Sequence, residues 1–155
     1  MKTRLGKGDD GTTRLADGTR VRKSDPRVAA CGELDELNCR LGAARAALPR
    51  RLRGLSRSLL RIQTELFEIG GRKPPPGRFV RALELELRAM QTALPSLEGF
   101  VLPGGRRASV ELHLARSACR RAERAAAALS RPAPGALPYL NRLSDWLFAA
   151  ARRAS

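Results

Sequence analysis

Apolar residues recur at intervals of three and four along most of the chain. This spacing places one stripe of apolar side chains along a helix, so each such stretch is predicted to be an amphipathic helix that buries its stripe. Five stretches have this pattern, at residues 30–48, 52–69, 80–97, 112–129 and 136–150. Their stripes consist mainly of Leu and Ala, and no stretch predicts a strand.

Prolines and glycines separate the five stretches. Asp25 followed by Pro26 indicates a helix start, because Asp caps free backbone N–H groups and proline suits the first helical position. The two glycines at 70 and 71 and the prolines at 74–76 end the second stretch, and Pro95 is expected to end or kink the third. Short connections between amphipathic helices favour an all-α, five-helix up-and-down bundle, antiparallel in the style of ferritin.

The first 24 residues have no helical period and are polar and rich in glycine. We therefore divide the chain into an irregular segment, 1–24, and a helical domain, 25–155. The sequence GDDGTT at 8–13 is either a phosphate cradle of backbone N–H groups and hydroxyls or an ordinary turn. It is not a Walker motif, because Gly6-Lys7-Gly8 is not followed by Ser or Thr and no strand precedes it.

Composition adds a strong positive charge to this picture. The chain of 155 residues carries a net charge of +15, and 26 of its 30 basic residues are arginine. This charge favours an anionic partner, which could be nucleic acid, a membrane surface or a nucleotide phosphate, unless the arginines only solvate the surface. One Trp, one Tyr and four Phe are few for base stacking, which argues against nucleic acid.

The three cysteines, Cys31, Cys39 and Cys119, suit neither a disulfide framework nor a zinc site. Free thiols indicate a reducing compartment, so we expect a cytoplasmic protein. No apolar run is long enough to span a bilayer, and no membrane partner is expected.

Charged residues share one face of the fourth predicted helix. Arg116, Arg120 and Glu123 follow each other at intervals of four and three, and Arg121 and Arg124 flank them. This arrangement is typical of a solvated helix with ion pairs, but guanidinium groups also match phosphate oxygens. The spacing alone leaves both interpretations open.

Five blocks in order over nearly the whole chain resemble the PduO-type ATP:cob(I)alamin adenosyltransferase family. They are GDDGTT at 8–13, the segment 28–38 that ends in DELN, FVLPGG at 100–105, RSACRRAER at 116–124 and YLNRLSDWLF at 139–148. The resemblance implies a homotrimer with active sites between subunits. It also implies that the substrates are ATP, with Mg²⁺, and cobalamin. The cobalt of cobalamin receives the 5′-deoxyadenosyl group, and triphosphate leaves. A cobalamin reductase and a B12-dependent acceptor enzyme are candidate partners.

The resemblance also implies roles for particular residues. The ATP-binding set is Gly8, Asp9, Thr12, Thr13, Lys23, Arg120, Arg121, Glu123, Arg124 and Asn141. The set with catalytic roles is Arg120, Asp35, Arg116 and Phe100. Glu123 is expected to help hold Mg²⁺, Asp35 to pair with Arg116 of a neighbouring subunit, and Phe100 to exclude the lower ligand of cobalt.

One departure from the family concerns the start of the chain. Residues 5–8 read LGKG where the family has TRTG, so the expected phosphate-binding Thr and Arg are missing in this register. Thr3 and Arg4, through a two-residue bulge, or Lys7 are the candidates to replace them. A catalytically degenerate family member and a basic nucleic-acid-binding bundle remain the alternatives to the enzyme.

Overall fold

Five α-helices form the body of the computed structural model, which describes residues 5–71 and 75–155. They are α1 (Pro26–Ala47), α2 (Arg53–Gly70), α3 (Gly77–Ala93), α4 (Arg107–Ala127) and α5 (Ala136–Ala154), with a short 3₁₀ turn at Arg50–Leu52. The predicted all-α bundle is confirmed. α1 begins as expected, because the Asp25 carboxylate accepts a hydrogen bond of 2.8 Å from the Arg27 backbone N–H.

The bundle is organised around α4, which packs against α1 on one side and α5 on the other. α2 packs on α1, and α3 packs on α5. Each helix contributes fully buried leucine or isoleucine from its predicted stripe, and burying one such side chain stabilises the fold by about 1.5–3 kcal/mol. The fully buried set includes Leu37, Leu59, Ile62, Leu83, Leu112 and Leu147. The small residues of α4, such as Ala115 and Ala122, are also buried and allow its neighbours to approach closely.

The third helix is shorter than its apolar pattern predicts. It ends at Ala93, and Leu94 is extended, with φ −98° and ψ 146°. Pro95 explains this end, because the proline ring clashes with a helical residue before it. Leu97, which the pattern includes in the stripe, is consequently about half exposed.

The N-terminal segment contains a hairpin, so the prediction that no strand is present was wrong. Strands β1 (Thr12–Arg14) and β2 (Arg20–Arg22) pair antiparallel, with Thr13 opposite Val21. Strands of three residues are too short to show an alternating pattern in the sequence. The buried side chain of Leu15 follows β1 and faces the start of α1 and the ends of α2 and α4, which fixes the hairpin to the bundle.

A buried polar network joins α2, α3 and α5. The Tyr139 hydroxyl donates a 2.6 Å hydrogen bond to Glu65, whose other oxygen accepts from Arg61 at 2.5 Å. Arg61 also donates to Glu86 at 3.1 Å, and Glu86 accepts from the Trp146 indole N–H at 2.8 Å. Burial, followed by the nearby charge of Glu65, raises the pKa of Tyr139 well above its usual range, so the phenol remains a donor.

Within the described ranges, none of the helices is long and apolar enough to traverse a lipid bilayer.

Candidate active site

The hairpin encloses a basic cavity of about 450 Å³. The lining residues are Lys7, Gly8, Thr12, Thr13, Arg14, Arg20 and Lys23. Gly8 has φ +90°, and a Cβ atom there would lie 3.0 Å from the Thr12 carbonyl oxygen and 3.5 Å from Lys23 Nζ. The Lys23 side chain therefore lies beside the Gly8 backbone, and the positive φ and the nearby Thr12 carbonyl oxygen favour glycine at this position.

A cluster of polar side chains holds the hairpin in shape. Asp10 accepts from both the backbone N–H and the hydroxyl of Thr12, at 3.0 and 2.7 Å, and it also pairs with Arg20. Arg20 donates to the Thr12 hydroxyl at 2.9 Å. The hydrogen bonds from Thr12 are the main reason that the pKa of Asp10 is lowered. Asp9, in the preceding turn, is exposed.

A second group of predicted residues lies along the outer face of α4 and α5. The Asn141 amide N–H donates to Glu123 at 3.1 Å, and the Asn141 side chain is exposed. Arg120 is exposed one turn before Glu123. Arg116, one turn further back, lies over the Phe148 ring with its guanidinium carbon 5.4 Å from the ring centre.

Arg116 Nε is buried and has no hydrogen-bond partner among the described residues. An unpaired buried donor costs about 1–3 kcal/mol, so this guanidinium is poised to accept an anionic partner. His113, which precedes it by one turn, packs edge-on against Phe148 with ring centres 6.2 Å apart. Burial and the charge of Arg116 lower the pKa of His113, which favours its neutral form.

Arg121 and Arg124 flank this face, and only Arg121 is turned towards another helix. Arg121 donates to Glu33 at 2.5 Å and pairs with Glu36, so its guanidinium is held against α1. These hydrogen bonds are also the main cause of a lowered Glu36 pKa. Arg124 is exposed in the last turn of α4.

Asp35 is exposed on α1, beside a cavity of about 310 Å³ that Thr13 and Phe67 also line. Of the described residues, none from α4 or α5 lines this cavity or the hairpin cavity. The predicted site residues therefore fall into two groups in one chain. The structure brings Gly8, Thr12, Thr13 and Lys23 together near one face, and Arg116, Arg120, Glu123 and Asn141 together on another.

The connection between α3 and α4 exposes a large apolar surface. Phe100 is fully exposed, and Leu102 is 89% exposed. Exposed apolar residues in such number are typical of a surface that a ligand or another protein covers. The first residues of the connection, including Leu97, help to line a cavity of about 600 Å³ between α3 and α5, together with Phe148.

Sequence reasoning missed this α3–α5 cavity, because its walls come from two helices that are distant in the chain. It also missed the contact of Arg116 with Phe148. Thr3 and Arg4, which were predicted to take the place of the family's Thr and Arg, lie outside the described residues. Lys7, the other candidate, does line the hairpin cavity.

A resident metal site is not evident in the part of the chain that the structure describes, where no three His, Cys, Asp or Glu side chains cluster suitably. Mg²⁺ is, however, commonly held by one or two carboxylates together with substrate phosphates. Glu123, with the amide oxygen of Asn141 beside it, fits that second arrangement.

Comparison with known proteins identifies the family. The model of the family described as cobalamin adenosyltransferase matches residues 3–154. A cobalamin adenosyltransferase of Cupriavidus metallidurans is 44% identical, covering 94% of this chain and 83% of that protein. A corrinoid adenosyltransferase of Mycobacterium bovis is 42% identical, covering 96% and 86% of the two chains. A variant PduO-type ATP:corrinoid adenosyltransferase from Lactobacillus reuteri, solved with cobalamin and ATP, superposes with a TM-score of 0.89 at 35% identity, covering 99% of this chain and 90% of that one. The chain therefore belongs to the cobalamin adenosyltransferase family.

Proposed function

We propose that the protein transfers the 5′-deoxyadenosyl group of ATP to the cobalt of cob(I)alamin and releases triphosphate. The observation that carries this proposal is the contact of Arg116 with Phe148, which also borders the α3–α5 cavity, with the exposed Arg120 one turn further along α4. The two arginines suit phosphate, and Phe148 and the exposed Phe100 offer apolar surface to a corrin ring. Relatives named as cobalamin or corrinoid adenosyltransferases, and related structures with both substrates, support the same reaction.

ATP contacts both groups of residues in this proposal. The triphosphate lies along Gly8, Thr12 and Thr13 with Asp9 nearby, and Lys23 donates to it. Arg120 and Asn141 contact the nucleotide from the other group, with Glu123 holding the Mg²⁺ that accompanies ATP. Arg124 is a further predicted contact. Arg121 would have to exchange its pairs with Glu33 and Glu36 for phosphate, so we give it the weaker role.

Neither the hairpin cavity nor the cavity beside Asp35 is lined by a described residue of α4 or α5, so in this proposal different copies of the chain contribute the two groups. Asp35 of one copy would then reach Arg116 of the next and satisfy its unpaired Nε. A contact between two different surfaces generates a closed ring when its rotation closes, and a homotrimer is the ring that the family resemblance implies. We also propose a cytoplasmic location, which the free cysteines support.

The chemistry requires charge stabilisation and no general base. The cobalt of cob(I)alamin attacks C5′ of ATP, the Co–C bond forms with the electron pair of cobalt, and the C5′–O bond breaks. Negative charge grows on the departing triphosphate, where Lys23 and Arg120 stabilise it. Phe100 contributes earlier, because a bulky apolar side chain beside the lower face of cobalt denies the lower ligand its place and eases reduction to cob(I)alamin.

The reaction is tested by incubating the protein with ATP, Mg²⁺ and chemically reduced cobalamin and following the visible spectrum. We expect conversion to adenosylcobalamin. Arg120→Ala is expected to reduce kcat by about 100-fold or more, since one donor on a developing anion is worth that much. Its circular dichroism spectrum should not change, and Arg57→Ala, at an exposed site on α2, serves as the control.

Absence of conversion by the wild-type protein would overturn the proposal. ATP binding without conversion would then favour a degenerate family member. Salt-sensitive binding of DNA or RNA without conversion would favour the nucleic-acid alternative.

Mixed subunits test whether the site is shared between copies. Lys23→Ala and Arg120→Ala disable different groups, so each variant alone is expected to be inactive. Co-expression in equal amounts should restore about a quarter of wild-type activity, because that share of interfaces in a random ring combines two intact groups. A mixture as inactive as its components would contradict the shared site.

A further inference from the structure

The cavity between α3 and α5 has a mixed lining, of which the reaction described above uses only Phe148. Its apolar wall includes Leu87, Leu94, Leu97, Phe148 and Ala149, and its polar wall includes Glu84, Arg88, Gln91, Arg142, Asp145 and Arg152. With a volume of about 600 Å³, it is of the size that holds small ligands. Phe148 lines this cavity and also supports Arg116, so the cavity adjoins the proposed active site.

Two of the three arginines in the cavity keep an uncompensated charge. Arg142 donates to Glu84 at 3.2 Å and to Asp145 at 3.4 Å, so carboxylates offset its charge. Arg152 donates only to a neutral acceptor, the Pro95 carbonyl oxygen, at 2.5 Å. Arg88 is exposed at the cavity wall, and neither Arg88 nor Arg152 has a carboxylate partner among the described residues. Free guanidinium groups beside an apolar wall favour a ligand that combines an anion with apolar surface.

Cobalamin carries such a combination in its nucleotide loop, where a phosphodiester links the corrin side chain to the lower-ligand base. When the lower ligand is kept off cobalt, as proposed for Phe100, this loop is released from cobalt and becomes available for binding by the protein. We propose that the α3–α5 cavity binds the displaced nucleotide loop, with Arg88 and Arg152 contacting its phosphodiester. This inference rests on the proposed function and extends it to the choice among corrinoids.

The test compares cobalamin with cobinamide, which lacks the phosphodiester, ribose and base but keeps the corrin ring. Dissociation constants measured by calorimetry without ATP make the readout independent of turnover. The wild-type protein should bind cobalamin more tightly than cobinamide. Arg88→Gln should weaken cobalamin binding about fivefold, as expected for a partly exposed charge-assisted hydrogen bond, and leave cobinamide binding unchanged. The double variant with Arg152→Gln should remove the preference.

Arg81→Gln is the matched control, because Arg81 is an exposed arginine two turns earlier on α3 and does not line the cavity. It should bind both corrinoids as the wild type does. Equal losses for both corrinoids in Arg88→Gln, or no loss, would overturn the inference. A raised KM for ATP with unchanged corrinoid binding would overturn it too, because the anion bound there would then be the nucleotide. Selective corrinoid binding by a protein that makes no adenosylcobalamin would instead refute the proposed function alone.

Discussion

Replacing Gly8 by alanine tests whether the hairpin positions Lys23 for the triphosphate of ATP. Gly8 has φ +90°, a left-handed conformation that costs a residue with a side chain about 1–2 kcal/mol. The added methyl group would also lie 3.0 Å from the Thr12 carbonyl oxygen and 3.4 Å from Lys23 Cε. It would therefore shift the start of β1, because the Thr12 carbonyl oxygen is too close, whereas Lys23 Cε would be at an ordinary contact distance.

Gly18→Ala separates these two effects. Gly18 has φ +83°, so alanine meets a similar conformational cost there, but no atom lies within 4 Å of the added methyl group. The difference between the two variants thus measures the disruption of the cavity wall that Gly8, Thr12 and Lys23 form. If a hydrogen bond from Lys23 to phosphate is worth about 1.5–3 kcal/mol, kcat/KM for ATP should be about 10- to 100-fold lower in Gly8→Ala than in Gly18→Ala.

Initial rates of adenosylcobalamin formation, measured at saturating cob(I)alamin over a range of ATP concentrations, give this ratio. Thermal unfolding of both variants shows whether the bundle remains folded, which we expect because the hairpin lies outside the helical core. Equal kcat/KM values for ATP in the two variants would refute the reasoning, since the close packing at Gly8 would then have no effect on catalysis.

Two further predictions concern buried polar groups. Tyr139→Phe removes the hydrogen bond to Glu65 and should lower the free energy of unfolding by about 2 kcal/mol. In a chain of this length that corresponds to a Tm lower by about 4–8 °C, and an unchanged Tm would contradict the role of the network. The pKa of His113 is lowered from 6.5 in the folded state, so the unfolded state takes up its proton first as the pH falls. Denaturant titrations should therefore show that this contribution to stability is fully present above about pH 7 and declines below it. The decline should be less steep in His113→Asn. Parallel stability profiles for the wild type and the variant would contradict this prediction.

The helices could be predicted because their stripes are long and regular. Leu37 and Leu112 were placed correctly in the core from spacing alone, and both are fully buried. The apolar stripe alone did not predict the end of α3, because Pro95 ends the helix before the stripe reaches Leu97. The hairpin was missed because three residues in each strand give no measurable period.

The site could be predicted only as a set of residues and not as an arrangement. Glu65 shows what a closer sequence reading could have found, because it lies on the apolar stripe of α2 between Ile62 and Ile69. A carboxylate in that position has to find a buried partner, but nothing in the sequence identifies Tyr139, 74 residues later, as that partner. The contact between Arg116 and Phe148 is of the same kind.

The net charge of +15 does not show which arginines are paired within the fold. Arg61, Arg121 and Arg142 each contact two carboxylates, so their charges are used within the fold. Arg88 and Arg116 also lie on helices, but none of the described carboxylates pairs with either. A guanidinium becomes available to phosphate when its neighbours leave it unpaired, and those neighbours come from other helices. Which arginines stay unpaired is therefore a property of the packed bundle, which neither the net charge nor the spacing along one helix can reveal.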